Sequence, residues 1–429
     1  MKRLIKKTAY RQLATLMLSL LVIAFGTRST QAQIQTNQLN GGTVNTITTA
    51  VPLLLISPDA RSGAMGDAGV ASKPDANSAH WNPSKFAFID DDMGFSVSYT
   101  PWLRALVPDI NLAYLSGYKR IDKNQTIGLS LLYFSLGNII FTNMVGEVTG
   151  EFNPNEFSID GTYARKLSDH FSGGIALRYI YSNLTGGYYI ESAGQSKAGQ
   201  SIAADISVYY QNDVELGDKS GEYAFGLNIS NIGSKMSYTE TADRDFIPIN
   251  LRLGGRLSVD IDEYNSISII ADVNKLLVPT PPVYELDSAG NPVQDASGNK
   301  VILYGKDPNR SVVSGMVGSF NDAPGVLNSS GERSIGKEEL REITYSIGLE
   351  YWYSGQFAVR AGYFHEHATK GNRKFFTLGA GLKYNVFGID FAYLIPTEAK
   401  HPLENTLRFT LLFDFEGLKE QNEESPPKS

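Results

Sequence analysis

The sequence contains no cysteine, which excludes disulfide bonds, thiolate metal sites, a cysteine nucleophile and a lipoprotein anchor. Histidine is also scarce, with 5 residues in 429. Basic residues are not in excess, because the formal net charge is -7, and no basic stripe marks a nucleic-acid-binding surface. We therefore expect no nucleic-acid partner.

Long apolar runs are missing after the first residues, since none approaches the roughly 20 residues that a membrane-spanning helix requires. At the start, basic residues precede the apolar run 13–25, and Thr30-Gln31-Ala32 has the small residues of a cleavage site. Residues 1–32 are therefore predicted to be a signal peptide, and the mature chain, beginning at Gln33, is predicted to be exported.

Aromatic residues are abundant, with 23 tyrosines and 21 phenylalanines. From Met93 onward, apolar and polar residues alternate in about fourteen segments, each close to the length of a tilted transmembrane strand. The segments are 93–100, 109–118, 125–135, 155–166, 171–183, 201–211, 221–231, 247–260, 265–276, 342–353, 356–366, 374–384, 387–395 and 404–415. A soluble β-sandwich would alternate too, but would not need an aromatic residue on strand after strand. The pattern predicts an all-β fold, a transmembrane antiparallel β-barrel over residues 93–415.

The alternation also assigns side chains to the two faces of each segment. In the last segment, Leu407, Phe409 and Leu411 share the face predicted to contact lipid, whereas Arg408 and Thr410 face the lumen. The same sorting directs charged residues of both signs inward: Arg178, Asp205, Arg252, Arg256, Asp272, Glu350, Arg360, Lys383 and Asp390. Charges of opposite sign can cross-link and close a barrel interior, which favours a non-conducting barrel.

The connections alternate in length, as in outer-membrane barrels, whose periplasmic turns are short and extracellular loops long. The even-numbered connections are short, and the longest of the others spans residues 277–341. We therefore expect an extracellular long loop and both termini in the periplasm. Residues 416–429 are polar and charged, and are predicted to be a disordered periplasmic tail.

An irregular stretch precedes the first strand. Residues 56–88, within the arm 33–92, are rich in Gly, Ala, Asp, Asn and Pro, which do not sustain a regular helix or strand. We interpret this stretch as a plug inside the lumen, and a solvated leader arm is the alternative. The predicted plug residues are Gly63, Gly66, Asp67, Gly69, Trp81, Asn82 and Pro83.

The long loop carries apolar residues beside a turn, and exposed apolar loop residues are typical of binding hot spots. We predict that residues of this loop, with two from the first outer loop, bind a partner. They are Trp102, Leu103, Met316, Phe320, Asp322, Pro324 and Gly325. The alternative is that these side chains pack on one another and brace the loop.

No motif points to chemistry, and we predict no enzyme activity, catalytic residue, cofactor or metal. His365 and His367 flank Glu366, but two residues on one strand face do not form a metal site without further ligands. The acidic run 90–92 could coordinate calcium, although a solvated run of charges is the simpler interpretation. A lipid hydrolase would need a histidine beside a serine, which one sequence does not show.

Several motifs carry a family resemblance. Residues 75–86, DANSAHWNPSKF, contain Asp75, Trp81, Asn82 and Pro83 and resemble the plug-to-barrel segment of FadL-like outer-membrane proteins. Further motifs sharpen the match to the PorV family of type IX secretion proteins within that group: AMGDAG at 64–69, DAPG at 322–325 and GLEYWY at 348–353. Val326 departs from the glycine that the family pattern has after DAPG.

The resemblance implies a FadL-like barrel in the outer membrane of a Gram-negative bacterium. It implies that the protein binds the C-terminal signal domain of secreted cargo at a SprA-type translocon and carries it to a PorU-containing attachment complex. It also implies contact with outer-membrane lipid or lipopolysaccharide. A link of the family to lipopolysaccharide deacylation finds no independent support in the residues. The alternative is a FadL-like transporter of hydrophobic small molecules.

Overall fold

The computed structural model describes residues 44–104, 107–142, 145–187, 189–190, 194–239, 244–327, 331–398 and 401–415. The predicted signal peptide and C-terminal tail lie outside these residues. No helix in the described part of the chain is long and apolar enough to cross a membrane.

Fourteen strands form a closed antiparallel barrel in which each strand pairs with its neighbours along the chain. They are β1 (Met93–Pro101), β2 (Asn111–Arg120), β3 (Gln125–Ser135), β4 (Asn155–Lys166), β5 (Phe171–Asn183), β6 (Gly199–Leu216), β7 (Lys219–Gly233), β8 (Asn250–Asp262), β9 (Asn265–Leu276), β10 (Thr344–Tyr353), β11 (Phe357–His365), β12 (Lys374–Tyr384), β13 (Phe387–Pro396) and β14 (Leu407–Asp414). Strand β14 closes the barrel on β1, with Phe409 opposite Tyr99 and Asp414 opposite Gly94. The predicted barrel class and strand number are confirmed.

The two faces of the barrel wall differ as the alternation predicts. On β14, Phe409 is 41% exposed, whereas Arg408 is 2% exposed and Thr410 is fully buried. Outward residues such as Ile175 and Leu177 are exposed in the same way. Because the exposed outer face is largely apolar, it suits the hydrocarbon core of a membrane.

Short turns join the strands at one end of the barrel, which we call the short-turn end. Ser354 and Gly355, both with positive φ, make a tight turn between β10 and β11. We call the other end the long-connection end. One prediction at the short-turn end was wrong: residues 211–220 do not form a ten-residue connection, because β6 and β7 continue to a two-residue turn that Gly217 makes possible with φ of 70°.

Residues 50–89, which we call the internal segment, contain four short helical turns. The helices are α1 (Ala60–Gly63) and α2 (Ser78–Trp81), and the 3₁₀ turns are Pro52–Leu55 and Pro83–Phe88. Asp59 caps α1 by accepting a hydrogen bond from the Ser62 amide at 2.8 Å. Asn82 caps the second 3₁₀ turn through the Ser84 amide at 3.1 Å, and a proline opens that turn.

The connections at the long-connection end carry their own secondary structure. Among the described residues, four small hairpins pair Ile139–Thr142 with Val148–Phe152, Tyr189–Ile190 with Gly194–Gln195, Val283–Tyr284 with Ile302–Tyr304, and Val326–Leu327 with Arg333–Ser334. The connection between β9 and β10, which we call the long loop, also contains helices α3 (Val312–Gly318) and α4 (Ile335–Arg341). Ser311 and Ser334 cap these helices with their side chains.

The described chain begins and ends at opposite ends of the barrel. The Asn45 amide nitrogen donates to the carbonyl of Thr369, and the Ala50 nitrogen donates to that of Phe246, both at the long-connection end. Phe415 donates to the carbonyl of Met93 at the short-turn end. We expected both termini on one side, and the termini themselves lie outside the described residues.

Candidate functional site

The predicted plug residues all lie in the internal segment. Six of them are buried and Asp67 is half-buried. Their neighbours are inward-facing residues of the barrel strands. Asp67, for example, accepts a hydrogen bond from Nη1 of Arg408 on β14 at 2.9 Å.

Trp81 and Asn82 hold the middle of the segment together. The Trp81 Nε1 donates to Oδ1 of the buried Asp59 at 2.6 Å. The Asn82 side-chain amide donates to the carbonyl of Val70 at 3.0 Å and to that of Val208 on β6 at 3.1 Å. The Gly69 backbone lies so close to the Trp81 ring that a Cβ there would be 2.3 Å from it. This close packing leaves no room for a side chain at position 69, which explains why the residue is glycine.

Asp272 on β9 anchors the segment from the barrel wall. Its Oδ2 accepts hydrogen bonds from the amides of Gly69 at 2.7 Å and Val70 at 2.9 Å. On β8, the Nε of Arg256 donates to the carbonyl of Ala71 at 3.1 Å. These bonds satisfy backbone groups that would otherwise be unpaired in a buried, irregular stretch.

An ion-pair network joins the segment to strands β10, β11 and β13. Arg61 makes two hydrogen bonds to the Glu350 carboxylate, at 2.9 and 3.0 Å, and pairs with Asp75 at 2.9 Å. Arg360 bonds to the same Glu350 at 2.7 Å and to Asp390 at 2.5 Å. Two guanidiniums thus share three carboxylates, and the network spans α1, β10, β11 and β13. Sequence analysis missed Arg61, which carries no motif of its own.

A second network lies within the wall itself. Arg178 on β5 pairs with Asp160 on β4 at 2.5 Å and with Asp205 on β6 at 3.1 Å. It also donates to the side chain of Asn231. The inward charges therefore pair across neighbouring strands, as the alternation suggested.

The internal segment lies between two open cavities. One, of about 390 Å³, is lined by Arg61, Lys73 and Asp414 among others and faces the short-turn end. The other, of about 380 Å³, is lined by Thr46, Trp81 and other residues and faces the long-connection end. The two cavities share no lining residue.

A cluster of charged residues ties the long loop to the barrel. Lys275 at the end of β9 pairs with Glu339 at 2.9 Å and with Glu342 at 2.7 Å. Lys370, in the connection between β11 and β12, pairs with Glu338 at 2.7 Å and with Glu342 at 3.0 Å. All five side chains are largely buried, so helix α4 has a defined position against the rim.

The predicted partner-binding residues differ in how exposed they are to solvent. Asp322, Pro324 and Gly325 are buried within the long loop, and Gly325 has φ of 83°. Trp102, Leu103 and Met316 are half-buried and pack against apolar clusters at the rim. Phe320 is 53% exposed. The burial favours the bracing alternative for all but Phe320, and partner binding by these residues stays a prediction.

Two exposed residues that sequence analysis missed extend the surface around Phe320. Val313 is 70% exposed and Val317 is 73% exposed, both on α3. Val313 and Val317 are one helical turn apart, and Phe320 lies two residues past the end of the helix. Their spacing at i, i+4 and i+7 was the signal in the sequence. We call these three residues the α3 face.

The candidate metal ligands make other contacts. Glu366 forms two hydrogen bonds to the Arg373 guanidinium at 2.9 Å, and the Nδ1 of His367 contacts the hydroxyl of Thr369 at 3.0 Å. Within the described residues, no group of three or more His, Asp or Glu side chains is arranged to hold a metal ion.

Asp322 gives the long loop a pH-sensitive group. Burial raises the pKa of its carboxyl to about 6, and Glu339 and Glu342 act in the same direction, against a hydrogen bond from the Thr280 amide. Because the folded loop binds this proton more tightly than an unfolded loop would, the stability that the proton contributes is present below about pH 4 and is lost as pH rises through about 6.

We therefore expect the long loop to become more sensitive to protease between about pH 5 and about pH 7. Asp322→Asn should remove most of this change, because the amide does not titrate. Limited proteolysis of the purified barrel, with a pH-tolerant protease, measures it. Asp287→Asn, on an exposed turn of the same loop, is the control and should behave as the unmodified protein does. An unchanged pH profile in Asp322→Asn would contradict the assignment.

Comparison with known proteins identifies the family. The family model described as type IX secretion system protein PorV matches residues 39–283, more than half of the chain. A search of curated proteins finds no match.

The chain is also distantly similar to several solved structures. The toluene transporter TodX of Pseudomonas putida is 12% identical, with 82% of this chain and 97% of that chain covered and a TM-score of 0.44. The toluene transporter TbuX of Ralstonia pickettii is 11% identical, with 83% and 97% covered and a TM-score of 0.42. A Pseudomonas aeruginosa FadL homologue is 12% identical, with 87% and 100% covered and a TM-score of 0.38.

The family match, rather than these distant likenesses, indicates the role. The matched family is a secretion-system family, and the closed fourteen-stranded barrel with its apolar outer face fits a protein of the outer membrane. This chain belongs to the PorV family and is an outer-membrane component of the type IX secretion system.

Proposed function

We propose that this protein binds the C-terminal signal domain of secreted cargo at its long-connection end and carries the cargo from a SprA-type translocon to a PorU-containing attachment complex. In this proposal the long-connection end is extracellular, and the protein transfers cargo without cleaving it. The family assignment supports the secretion role. The observation that carries the binding site is the α3 face, an apolar surface on a loop with a fixed position.

The fixed position matters because a surface on a mobile loop would lose conformational entropy on binding. The long loop is held by the pairs of Lys275 and Lys370 with three glutamates. In addition, the amides of Asp322 and Ala323 donate to Glu339 at 2.9 and 3.1 Å. Helix α3 is therefore presented by a braced scaffold, which suits recognition of a folded domain.

The internal segment supports a sealed lumen in the same proposal. It is bonded to β8, β9, β10 and β14, and it separates the two cavities. A FadL-like transporter would need an apolar path past this segment. The segment and the adjoining wall instead contain the buried polar residues Asp59, Arg61 and Glu350. We therefore favour the cargo carrier over the small-molecule transporter.

The test replaces the α3 face by serine at all three positions: Val313→Ser, Val317→Ser and Phe320→Ser. We expect co-purification of a cargo signal domain to fall by at least about tenfold, because exposed aromatic and apolar anchors carry most of the binding energy in interfaces of this kind. The probe is the isolated signal domain of a cargo protein, added to the detergent-solubilised barrel.

The matched control is Leu286→Ser with Leu303→Ser, two residues that are 59% and 51% exposed on the neighbouring hairpin of the same loop. Both variants should retain the gel mobility of a folded barrel before heating. Equal recovery with the α3 variant and the unmodified protein would refute the assigned surface. No binding by the unmodified protein would refute cargo binding itself.

A further inference from the structure

Strand β6 extends past its neighbour at the short-turn end. Its pairing with β5 ends at Tyr210, which lies opposite Phe171. Pairing with β7 continues to Leu216, which lies opposite Lys219. Residues 212–216 therefore have β7 on one side and, among the described residues, no strand on the other. We call these residues the open edge.

The backbone of the open edge has groups directed away from β7. The amide of Gln211 donates to the carbonyl of His170 at 3.0 Å, on the β5 side. Since backbone direction alternates along a strand, the amides and carbonyls of Asp213 and Glu215 point to the same side. In the described part of the chain, the Asp213 amide there donates to the side chain of its sequence neighbour Asn212, at 3.0 Å, and to no strand. The open edge thus offers the hydrogen-bonding pattern to which an extended segment can pair.

The charge beside the open edge is negative. Asp213, Glu215 and Asp218 are exposed. A cleft of about 620 Å³ on this hairpin has four acids in its lining, Asp213, Glu215, Glu222 and Asp260, against two bases, Lys73 and Arg256, and Arg256 is already paired with Glu222. Lys219, the nearest base on the hairpin, donates to the carbonyl of Ile261 and so is directed toward the β8–β9 turn. A cationic segment would gain electrostatic attraction at this edge.

The charge also rejects two other occupants. The chain's own residues 416–429 contain Glu416, Glu420, Glu423 and Glu424 against two lysines, so this tail would be repelled. A second copy pairing edge to edge would bring Asp213 and Glu215 against the same acidic residues. Acidic side chains can also serve only to prevent edge-to-edge aggregation, and in that case a basic peptide would not bind.

We propose that the open edge binds an extended, basic segment of a partner protein as an added β-strand. The backbone of Asp213 and Glu215 supplies the hydrogen bonds, and their carboxylates select lysine or arginine. This site is at the end of the barrel opposite the α3 face, so it is independent of cargo binding and the two can be tested separately.

The first test measures charge selection. The probe is a fluorescent peptide of alternating lysine and threonine, titrated against the solubilised barrel by anisotropy. We expect saturable binding that weakens with salt, and a loss of at least about fivefold in affinity for Asp213→Asn combined with Glu215→Gln. Asp122→Asn, an exposed acid on the β2–β3 turn, is the matched control and should bind as the unmodified protein does.

The second test measures strand addition, and its main arm uses the unmodified protein. The same peptide with alternate amides N-methylated keeps its charge but cannot pair with a strand, and we expect it to lose binding. Asp213→Pro should act likewise, because proline removes an edge-directed donor and leaves the ladder to β7 in place. Equal binding of the methylated peptide would overturn strand addition. No binding of either peptide would overturn the site and leave the acids a protective role.

Discussion

Replacing Glu350 by alanine is expected to lower the free energy of unfolding by about 3–5 kcal/mol, because it leaves two buried guanidiniums without their shared carboxylate. Arg61 and Arg360 both bond to Glu350, and both are nearly inaccessible to solvent. Of its carboxylate partners Arg61 would keep only Asp75, beside a hydrogen bond to the Lys73 carbonyl, and Arg360 would keep only Asp390. Thermal unfolding in detergent, followed by circular dichroism or by gel mobility, measures the change.

Glu285→Ala is the control for this prediction, since Glu285 is exposed on a hairpin of the long loop. Its effect should stay within about 0.5 kcal/mol, as for most surface substitutions. Glu350→Gln should fall between the two, because the amide oxygen still accepts a hydrogen bond while the charge is lost. A melting temperature for Glu350→Ala equal to that of the control would show that the network does not hold the segment.

Replacing Gly66 by valine is expected to displace the internal segment and to make the barrel permeable. Gly66 has φ of 69°, and a Cβ there would lie 2.6–2.8 Å from backbone atoms of Tyr363 on β11. Neither backbone can move easily, because the Gly66 amide is bonded to the Thr377 hydroxyl at 2.9 Å. The strained φ and the overpacking together cost about 2–5 kcal/mol. Swelling of liposomes in small sugars measures the permeability.

The unmodified barrel should not support swelling, because the segment separates its two cavities. Gly161→Val is the control, since a Cβ at this position on β4 would meet no atom within 4 Å. Swelling with the unmodified protein would argue against a sealed lumen. An impermeable and equally stable Gly66→Val variant would show that the close approach at Tyr363 does not constrain the segment.

Side-chain pairing is the part of the site that the sequence left open. Alternation identified Glu350, Arg360 and Asp390 as inward residues, and all three are buried. It did not identify Arg61 as a member of their network, because Arg61 lies in an irregular stretch where no period assigns a face. Its partner was decided by how α1 sits inside the barrel.

The sequence also could not predict which residues of the long loop are buried. Met316, Phe320 and Asp322 look alike in sequence, as residues beside a turn in a long insertion. In the structure Asp322 is buried against Thr280, Met316 is half-buried, and Phe320 remains exposed. The difference arises because Lys275 and Lys370, which are 95 residues apart, fix the loop through α4.

The sequence by itself determined the strand number, the barrel class and the faces of the residues that alternation sorted, because a two-residue period is local and each segment carries it independently. It also indicated the family, through short motifs. Only the tertiary structure decided which inward charges pair, which loop residues stay exposed and where β6 runs past β5. These features depend on closure and register of the whole barrel, which bring together residues that no local pattern relates.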